Sequence, residues 1–404
     1  MKTRITTEQD FSVKLCGLDF VGGFIYIRSL VYLKHHLDVD KFAAAISTTI
    51  ASYPYLAGTV VIRDGAHYIE PGIGVEFEYD DVDVPCPPVG LNIPVRTELL
   101  PKSGWPVGGP LVYIKITRFN DGTCALSQSV AHVVGDAVSC RLWSNLLMKN
   151  YVSDEPFLSE PDIRRLSTFE PLEYPSSQFS ADRPAVGIED TKRINFFIDH
   201  PQLVKLRRTT KLAGISAVDM IRALIVKTFN DVCKSEISVQ MVYNARYVQG
   251  SDIPKAYTGN SNLKWKCDIP KNPMSIFETA SLLKAQPTPT AQDVKREIAL
   301  IQKKYEENGL MFNGGIIGAT SQQSDKSTLT INIATVASLA LNDEVLHREL
   351  LILVPEKFPF NLACVFSIMD ASNRASLIIP IILDVEIVDE FERRFSAALS
   401  SLGV

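Results

Sequence analysis

The sequence predicts an α/β protein of mixed strands and helices, arranged as two similar lobes around a central cleft. Strand-like segments alternate with amphipathic helices through both halves of the chain. Between the halves, from about residue 152 to 188, the chain is rich in proline and serine and has little periodicity. We therefore predict an N-terminal lobe over residues 1–160, a crossover linker over 161–188 and a C-terminal lobe over 189–404. Ligand sites tend to lie between such units.

In the first half, the β-branched and aromatic run from Phe24 to Lys34 predicts a strand. The next segment has apolar residues at helical spacing, with Asp40 as its expected cap and Pro54 as its stop. The tripeptide NDG at 120–122 predicts a hairpin between the strands LVYIKITRF and TCALSQSV. A second helix is expected from about Val138 to Tyr151.

The second half repeats this mixture of strands and helices. Ser216 is the expected cap of its second helix. The predicted strands are RINFFID, ISVQMVYNARYV, STLTINIATVA, LACVFSIMD and SLIIPIILDVEIV. The predicted helices are PQLVKLRRTTKL, SAVDMIRALIVKTFNDVC, TPTAQDVKREIALIQKKYEENG and VDEFERRFSAALSSL.

Composition excludes several classes of protein. The 404 residues are 46% hydrophobic and 22% charged, which is typical of a globular protein. A net charge of -5 and the lack of a basic block argue against a nucleic-acid partner. No apolar run reaches the length of a membrane span, and the N-terminal residues lack the apolar core of a signal peptide. We expect a cytoplasmic protein.

The seven cysteines and six histidines do not form a metal-binding pattern. The cysteines are scattered and include no CxxC pair, so we expect reduced thiols and no metal site.

The pattern His-x-x-x-Asp occurs twice. The first match, His36 with Asp40, lies in the polar stretch HHLDVD between a predicted strand and a predicted helix. Asp38 and Asp40 there are well placed to accept hydrogen bonds from the N-terminus of the helix. We therefore interpret this match as an ordinary loop.

The second match, His132 with Asp136, has a different setting. A predicted strand ends just before His132, Gly135 permits a sharp turn, and a predicted helix begins just after Asp136. A histidine that leaves a strand and enters a cleft can serve as a general base, since its usual pKa lies near neutrality. On this local pattern alone, the alternative is a histidine buried in the core with its ring nitrogens hydrogen-bonded to protein groups.

Taken together, several segments resemble the HXXXD-type acyl-CoA-dependent acyltransferases, the BAHD family. KLCGLDF resembles the family's opening segment, with Asp19 in the aspartate position. ISTTIASYPYLAGTVV is similar to the family's passage from helix to strand. The hairpin that leads into HVVGD resembles the approach to the catalytic motif. ISAVDMIRALIVK, VYNARYV and AYTGNS then follow in the family's order and spacing. The resemblance covers most of the chain and implies two chloramphenicol-acetyltransferase-like lobes with a solvent channel between them.

Two features depart from the family pattern. The glycine that usually follows the motif aspartate is replaced by Ala137. The family's Asp-Phe-Gly-Trp-Gly motif is missing, and in LALNDEVLHREL only Asp343 could stand for its aspartate. In the family that motif is mainly structural, so the chemistry could survive its loss. We expect its absence to affect the C-terminal wall of the cleft and the handling of the acyl donor there.

The resemblance implies a chemistry and a set of site residues. Acyl-CoA would be a co-substrate, with no permanently bound cofactor, and the protein is expected to be a monomer. His132 would be the general base. Asp136 would point away from the substrate and hold the catalytic loop in a buried, bidentate ion pair with Arg246.

Other residues have more than one interpretation. Gly259 and Asn260 could contact substrate, but a plain turn is equally consistent with YTGN. Ser216 could line the pantetheine channel or only cap its helix. A cluster on the helix after RINFFID could meet coenzyme A phosphates or be a solvated face; its members are Lys205, Arg207, Arg208 and Lys211. Trp143 and Trp265 could belong to the core or to the cleft.

Two further hypotheses remain open at this level. A condensation-like enzyme would take the acyl group from a carrier protein. The motif of those enzymes usually has two adjacent histidines and a final glycine, and here Ala131 and Ala137 stand in the places of the first histidine and the glycine. A fold relative with altered chemistry would act as a cyclase or a binding protein. The missing Asp-Phe-Gly-Trp-Gly motif supports this second alternative.

Overall fold

The computed structural model describes residues 1–20, 25–87, 97–158, 190–211, 214–233, 236–270, 274–308, 327–335, 345–347, 361–369 and 374–404. Asp343 and the linker predicted over 161–188 lie outside these residues. Within them the chain forms two six-stranded sheets, each at the centre of one lobe, and a small three-stranded sheet. The predicted fold class is confirmed.

The elements of the first half, in chain order, are β1 (Lys2–Ile5), β2 (Val13–Lys14), β3 (Tyr26–Leu33), α1 (Val39–Ser52), β4 (Gly58–Arg63), β5 (Ala66–Pro71), β6 (Val75–Val82), β7 (Val112–Phe119), β8 (Cys124–Ala131) and α2 (Ala137–Val152). Those of the second half are β9 (Thr191–Ile198), α3 (His200–Lys211), α4 (Ala217–Val232), β10 (Ile237–Asn244), β11 (Asn262–Ile269), α5 (Ile276–Lys284), α6 (Ala291–Asn308), β12 (Thr328–Thr335), β13 (Val345–His347), β14 (Asn361–Met369), β15 (Ala375–Asp384) and α7 (Val388–Ser401).

The first sheet has the strand order β1-β6-β7-β8-β3-β13. Apolar residues on one of its faces, such as Leu126 and Val130, join Ile46, Ile50 and Leu147 of α1 and α2 in a buried core. These helices bury the apolar residues that recur at helical spacing along them. Strand β8, which leads to His132, is therefore paired with β7 and β3 along its two edges and packs against this core on one face.

The second sheet has the order β11-β10-β12-β14-β15-β9. One face carries residues such as Val239 and Ile331, which pack in one cluster with Leu224, Phe229 and Phe391 of α4 and α7. Strands β10, β12 and β14 pair in parallel, and the outer pairs are antiparallel. Each lobe thus has its own hydrophobic core.

Two features connect the lobes. The short strand β13 pairs antiparallel with β3, so residues 345–347, which fall in the stretch predicted as the C-terminal lobe, complete the first sheet. A third apolar cluster packs Cys16 and Leu18 from the N-terminal segment against Tyr257 and against Ile298 and Ile301 of α6. The seam between the lobes is therefore built from both halves of the chain.

Two local predictions need correction. Helix α1 is capped by Asp38 and not by Asp40: the Asp38 carboxylate accepts a hydrogen bond from the Lys41 N–H at 3.0 Å, and Asp40 lies within the first turn. The predicted strand ISVQMVYNARYV ends at Asn244. Arg246 lies in the 3-10 turn that follows, because the Asn244 side chain accepts from the Arg246 N–H and caps that turn.

No helix within the described ranges is long and apolar enough to cross a membrane.

Candidate active site

The β7–β8 hairpin delivers His132 to the seam. Its turn contains Gly122 at φ 87°, a conformation that favours glycine. At the far end of β8, the Ala131 N–H donates to the Leu111 carbonyl and the His132 N–H donates to the Ile25 carbonyl, both at 2.8 Å. The backbone of His132 is thus held by the sheet immediately before the chain turns into α2.

Protein atoms surround the imidazole of His132, although the residue keeps some exposed surface. Burial lowers its pKa below the usual range, because a charged ring is poorly solvated there. Four groups raise the pKa of His132, but burial outweighs them. They are the carbonyl of His132 itself, the charges of Asp136 and Asp19, and the side chain of Asn260. A neutral imidazole at neutral pH can accept a proton.

Asp136 caps helix α2. Its backbone is extended, and its Oδ1 atom accepts hydrogen bonds from the N–H groups of Val138 and Ser139 at 3.1 and 3.0 Å. This satisfies two of the free donors at the start of the helix. This capping role is an addition to the predicted roles of Asp136, although an aspartate just before a helix is a standard signal for a cap.

The other carboxylate oxygen of Asp136 faces the second lobe. Oδ2 accepts from Arg246 Nη1 at 2.6 Å and from the Ser261 N–H at 3.0 Å, and neither charged side chain is exposed. The predicted contact between Asp136 and Arg246 is present. The expected bidentate geometry is wrong, because Oδ1 is already used by the helix and only Oδ2 meets the guanidinium.

The rest of the Arg246 guanidinium binds main-chain and hydroxyl oxygens. Nε donates to the Tyr257 carbonyl at 2.9 Å, and Nη2 donates to the Gly259 carbonyl at 2.7 Å and to Ser139 Oγ at 2.8 Å. Nη1 also donates to the Ser261 hydroxyl. All three nitrogens therefore have partners, as a buried cation requires.

This network sets the charge of Asp136. Burial alone would raise the pKa of its carboxyl group, but the charge and hydrogen bond of Arg246, with the N–H groups of Ser139 and Ser261, hold that pKa below its usual range. The pair is therefore ionised, and Asp136 has no proton to give at neutral pH. Ser139 and Ser261 were missed from the sequence, where a serine near a helix start or after a turn has no distinctive pattern.

Gly135 is required for a reason other than the one predicted. It is not among the glycines with positive φ. A Cβ atom at this position would lie 2.6 Å from Ser139 Cβ and 2.7 Å from the Thr258 carbonyl oxygen. The glycine therefore lets the loop that follows His132 pack directly against the 258–261 segment of the other lobe.

Asn260 links three segments. Its Nδ2 atom donates to the His132 carbonyl at 2.8 Å and to the Asp19 carbonyl at 3.3 Å, and the residue is 2% exposed. Asp19 in turn holds its own turn together, since its carboxylate accepts from the Cys16 N–H at 2.9 Å. These contacts, like those of Gly259, are with protein groups, and substrate contact by either residue stays a prediction.

The remaining candidates lie apart from this network. Ser216 caps α4, with its Oγ accepting from the Asp219 N–H at 3.0 Å, and the structure shows no contact between it and the His132 loop. Trp143 is part of the first core, and Trp265 is half-buried. The basic cluster of α3 is exposed; its members are Lys205, Arg207, Arg208 and Lys211.

His36 lies in an exposed loop, where its Nε2 atom is 2.7 Å from the Phe119 carbonyl oxygen. The choice between the two His-x-x-x-Asp matches therefore favours His132, the one at the seam.

The sequence profile described as "Transferase family" matches residues 6–325, well over half of the chain. No curated protein matches the sequence significantly.

Solved structures match the fold over nearly the whole chain. The F. graminearum TRI101 complexed with ethyl coenzyme A is 16% identical, with a TM-score of 0.70 over 94% of this chain and 96% of that chain. Vinorine synthase is 17% identical, with a TM-score of 0.68 over 100% and 97%. The epimerization domain from the third module of tyrocidine synthetase B is 14% identical, with a TM-score of 0.65 over 99% and 98%. At these identities the likeness shows the two-lobed fold.

Proposed function

Since this chain belongs to the Transferase family, which consists of acyl-CoA-dependent acyltransferases, we propose that it moves an acyl group from acyl-CoA to a hydroxyl or amine of a small specialised metabolite. His132 is the proposed general base. One observation carries this assignment: a histidine with a lowered pKa, still partly exposed, is held at the seam of the lobes by backbone hydrogen bonds.

The proposed reaction begins at the acceptor. His132 takes the proton from the acceptor O–H or N–H as that oxygen or nitrogen attacks the thioester carbonyl carbon, a step typically worth about 10²–10⁴-fold. The carbon–sulfur bond of the tetrahedral intermediate then breaks, and the leaving thiolate takes the proton from the imidazolium. The products are the ester or amide and free coenzyme A, and His132 is neutral again.

Asp136 and Arg246 have a supporting role in this proposal. The Asp136 carboxylate accepts from α2 on one side and from Arg246 and Ser261 on the other, so its oxygens are already used. The ion pair ties the loop that carries His132 to the second lobe. Ser216, Gly259 and Asn260 remain proposed contacts to co-substrate or acceptor.

The structural neighbours support the substrate classes. F. graminearum TRI101 has been solved in complex with coenzyme A and deoxynivalenol, and in complex with coenzyme A and T-2 mycotoxin. That protein therefore binds coenzyme A together with a second small molecule. For the present chain we propose the same two ligand classes, a coenzyme A thioester and a small-molecule acceptor.

The experiment is a matrix of acyl-CoA donors and small alcohol and amine acceptors, followed by thiol release and by mass spectrometry of the acceptor. We expect acceptor-dependent thiol release that matches the amount of acylated product. Transfer only from an acyl group on a phosphopantetheinyl carrier protein would favour the carrier-dependent alternative. Acceptor binding without transfer from either donor would favour a binding protein.

A further inference from the structure

We propose that Arg28 and Ser129 form a subsite that binds a carboxylate of the acceptor, which is then a hydroxy acid or an amino acid. This inference rests on the proposed function, because it names the substrate class that would react at His132. Neither residue of the subsite takes part in the hydrogen-bond network around Asp136.

The two residues lie side by side on one face of the first sheet. Ser129 of β8 pairs directly with Arg28 of β3 on one side and with Tyr113 of β7 on the other. Directly paired residues project from the same face of a sheet, so these three side chains are neighbours. The face is opposite to the one that packs against α1 and α2, since the adjacent Val130 belongs to that core.

The segment of residues 97–105 crosses this face of the sheet. The Ser127 hydroxyl donates to the Leu99 carbonyl at 2.7 Å, and the Gly104 N–H donates to the Tyr113 hydroxyl at 2.9 Å. The face therefore has a wall of polypeptide on one side, as a binding subsite for part of a small molecule requires.

Arg28 brings a positive charge to this face. Its side chain is half-buried, and its Nη2 atom donates to the Ser103 hydroxyl at 2.8 Å. Within the part of the chain that the structure describes, Arg28 forms no ion pair with a carboxylate. A guanidinium has five N–H donors in a planar fork that matches the two oxygens of a carboxylate. Most of those donors are available to a ligand.

The second polar group of the subsite is the hydroxyl of Ser129. The residue is 0% exposed, yet its Oγ atom makes no hydrogen bond to any described residue. Buried polar atoms normally have a partner, so this one calls for an explanation. The Cβ atoms of directly opposed residues are about 5 Å apart, which puts the Ser129 hydroxyl and the Arg28 side chain within reach of one carboxylate.

The position of this subsite relative to His132 is set by the pairing of β3 with β8. The His132 N–H donates to the Ile25 carbonyl, and Arg28 lies three residues further along the chain. At about 3.3 Å per residue, the two backbone positions are about 10 Å apart. A hydroxy acid or amino acid can span such a gap, with its carboxylate at Arg28 and its nucleophile at the imidazole.

The test is binding calorimetry with straight-chain ω-hydroxy acids of increasing length, each compared with its neutral carboxamide, in the absence of acyl-CoA. The wild-type protein should bind at least one acid about 10- to 100-fold more tightly than its amide. Arg28→Met should abolish this preference. Ser129→Ala should reduce it without lowering stability, because that substitution removes a hydroxyl that has no protein partner.

Arg118→Met is the matched control. Arg118 belongs to the same sheet, but its guanidinium already binds Asp81, with Nε donating to Oδ1 at 2.6 Å. This variant should keep the wild-type preference for acids over amides.

A carboxylate could also belong to the acyl donor, so the same proteins are titrated with malonyl-CoA and acetyl-CoA. Equal affinity of the wild type for every acid and its amide, or a preference that survives in folded Arg28→Met, would overturn the proposal. So would a preference that depends on Arg28 for malonyl-CoA alone. If Arg28→Met does not fold, the wild-type preference and its reduction in Ser129→Ala decide. Binding needs no turnover, so tight acid binding without acyl transfer would contradict the proposed function and leave the subsite standing.

Discussion

Arg246 Nη1 lies 2.6 Å from Asp136 Oδ2, and both side chains are completely buried at the seam between the lobes. The two residues are 110 positions apart in the chain. Buried charges of this kind are stable only when each has partners, since an isolated charge is poorly solvated inside a protein. The pair therefore couples the shape of the loop after His132 to the docking of the second lobe.

The first prediction concerns this pair. Asp136→Asn and Arg246→Met should each lower the free energy of unfolding by about 3–5 kcal/mol, because each leaves the partner charge buried and uncompensated. The double variant should lose less than the sum of the two losses. Chemical denaturation of the wild type, both single variants and the double variant measures the coupling. Additive losses would show that the two residues act independently.

The second prediction concerns Gly135. Gly135→Ala should lower both stability, by about 1–3 kcal/mol, and activity, because its methyl group would meet Ser139 and the Thr258 carbonyl at the seam. Gly122→Ala is the matched control: its Cβ meets nothing within 4 Å, but its φ of +87° is strained for alanine. It should cost stability alone. Activity equal to that of wild type in Gly135→Ala would show that the loop does not need this close packing.

Much of the architecture follows from sequence pattern, because core burial imposes it. The segment that contains Phe42, Ile46 and Ile50 repeats apolar residues at helical spacing and is α1. The NDG tripeptide joins β7 to β8 as expected. Strand β13 could not be predicted in this way, because its three residues are too few to show a period and its pairing with β3 depends on tertiary structure.

The site was predictable to a smaller extent. His132 was identified from a strand, a turn and a helix, and the contact of Asp136 with Arg246 came from the family resemblance. The contacts of Ser139, Ser261 and Asn260 could not be predicted from the sequence, because they depend on two lobes meeting at the seam. Local pattern does suffice to suggest that Asp136 caps α2; what it cannot show is that one carboxylate does both tasks.

The third prediction concerns pH. The base must be neutral, so kcat/KM should fall as the pH drops through the pKa of His132, which burial places below its ordinary value of 6.5. Between that lowered pKa and 6.5 the unfolded chain binds a proton that the folded protein does not. The contribution of this residue to stability is therefore complete above 6.5 and is lost as the pH falls through that window.

A pH–rate profile from pH 4.5 to 8, with an acceptor that does not titrate in that range, measures the activity limb. Parallel unfolding at each pH separates loss of the base from loss of the fold. A midpoint above 6.5 would contradict the environment described for the imidazole.

The central claim is that His132, and not His36, is the base for acyl transfer, and the most direct measurement is the single-turnover rate of acyl transfer in His132→Ala and His36→Ala. We predict a loss of about 10²–10⁴-fold in His132→Ala, with unfolding close to that of the wild type because the residue is partly exposed, and a near wild-type rate in His36→Ala, whose ring lies in an exposed loop. Equal loss in both variants, or a wild-type rate in His132→Ala, would contradict the account.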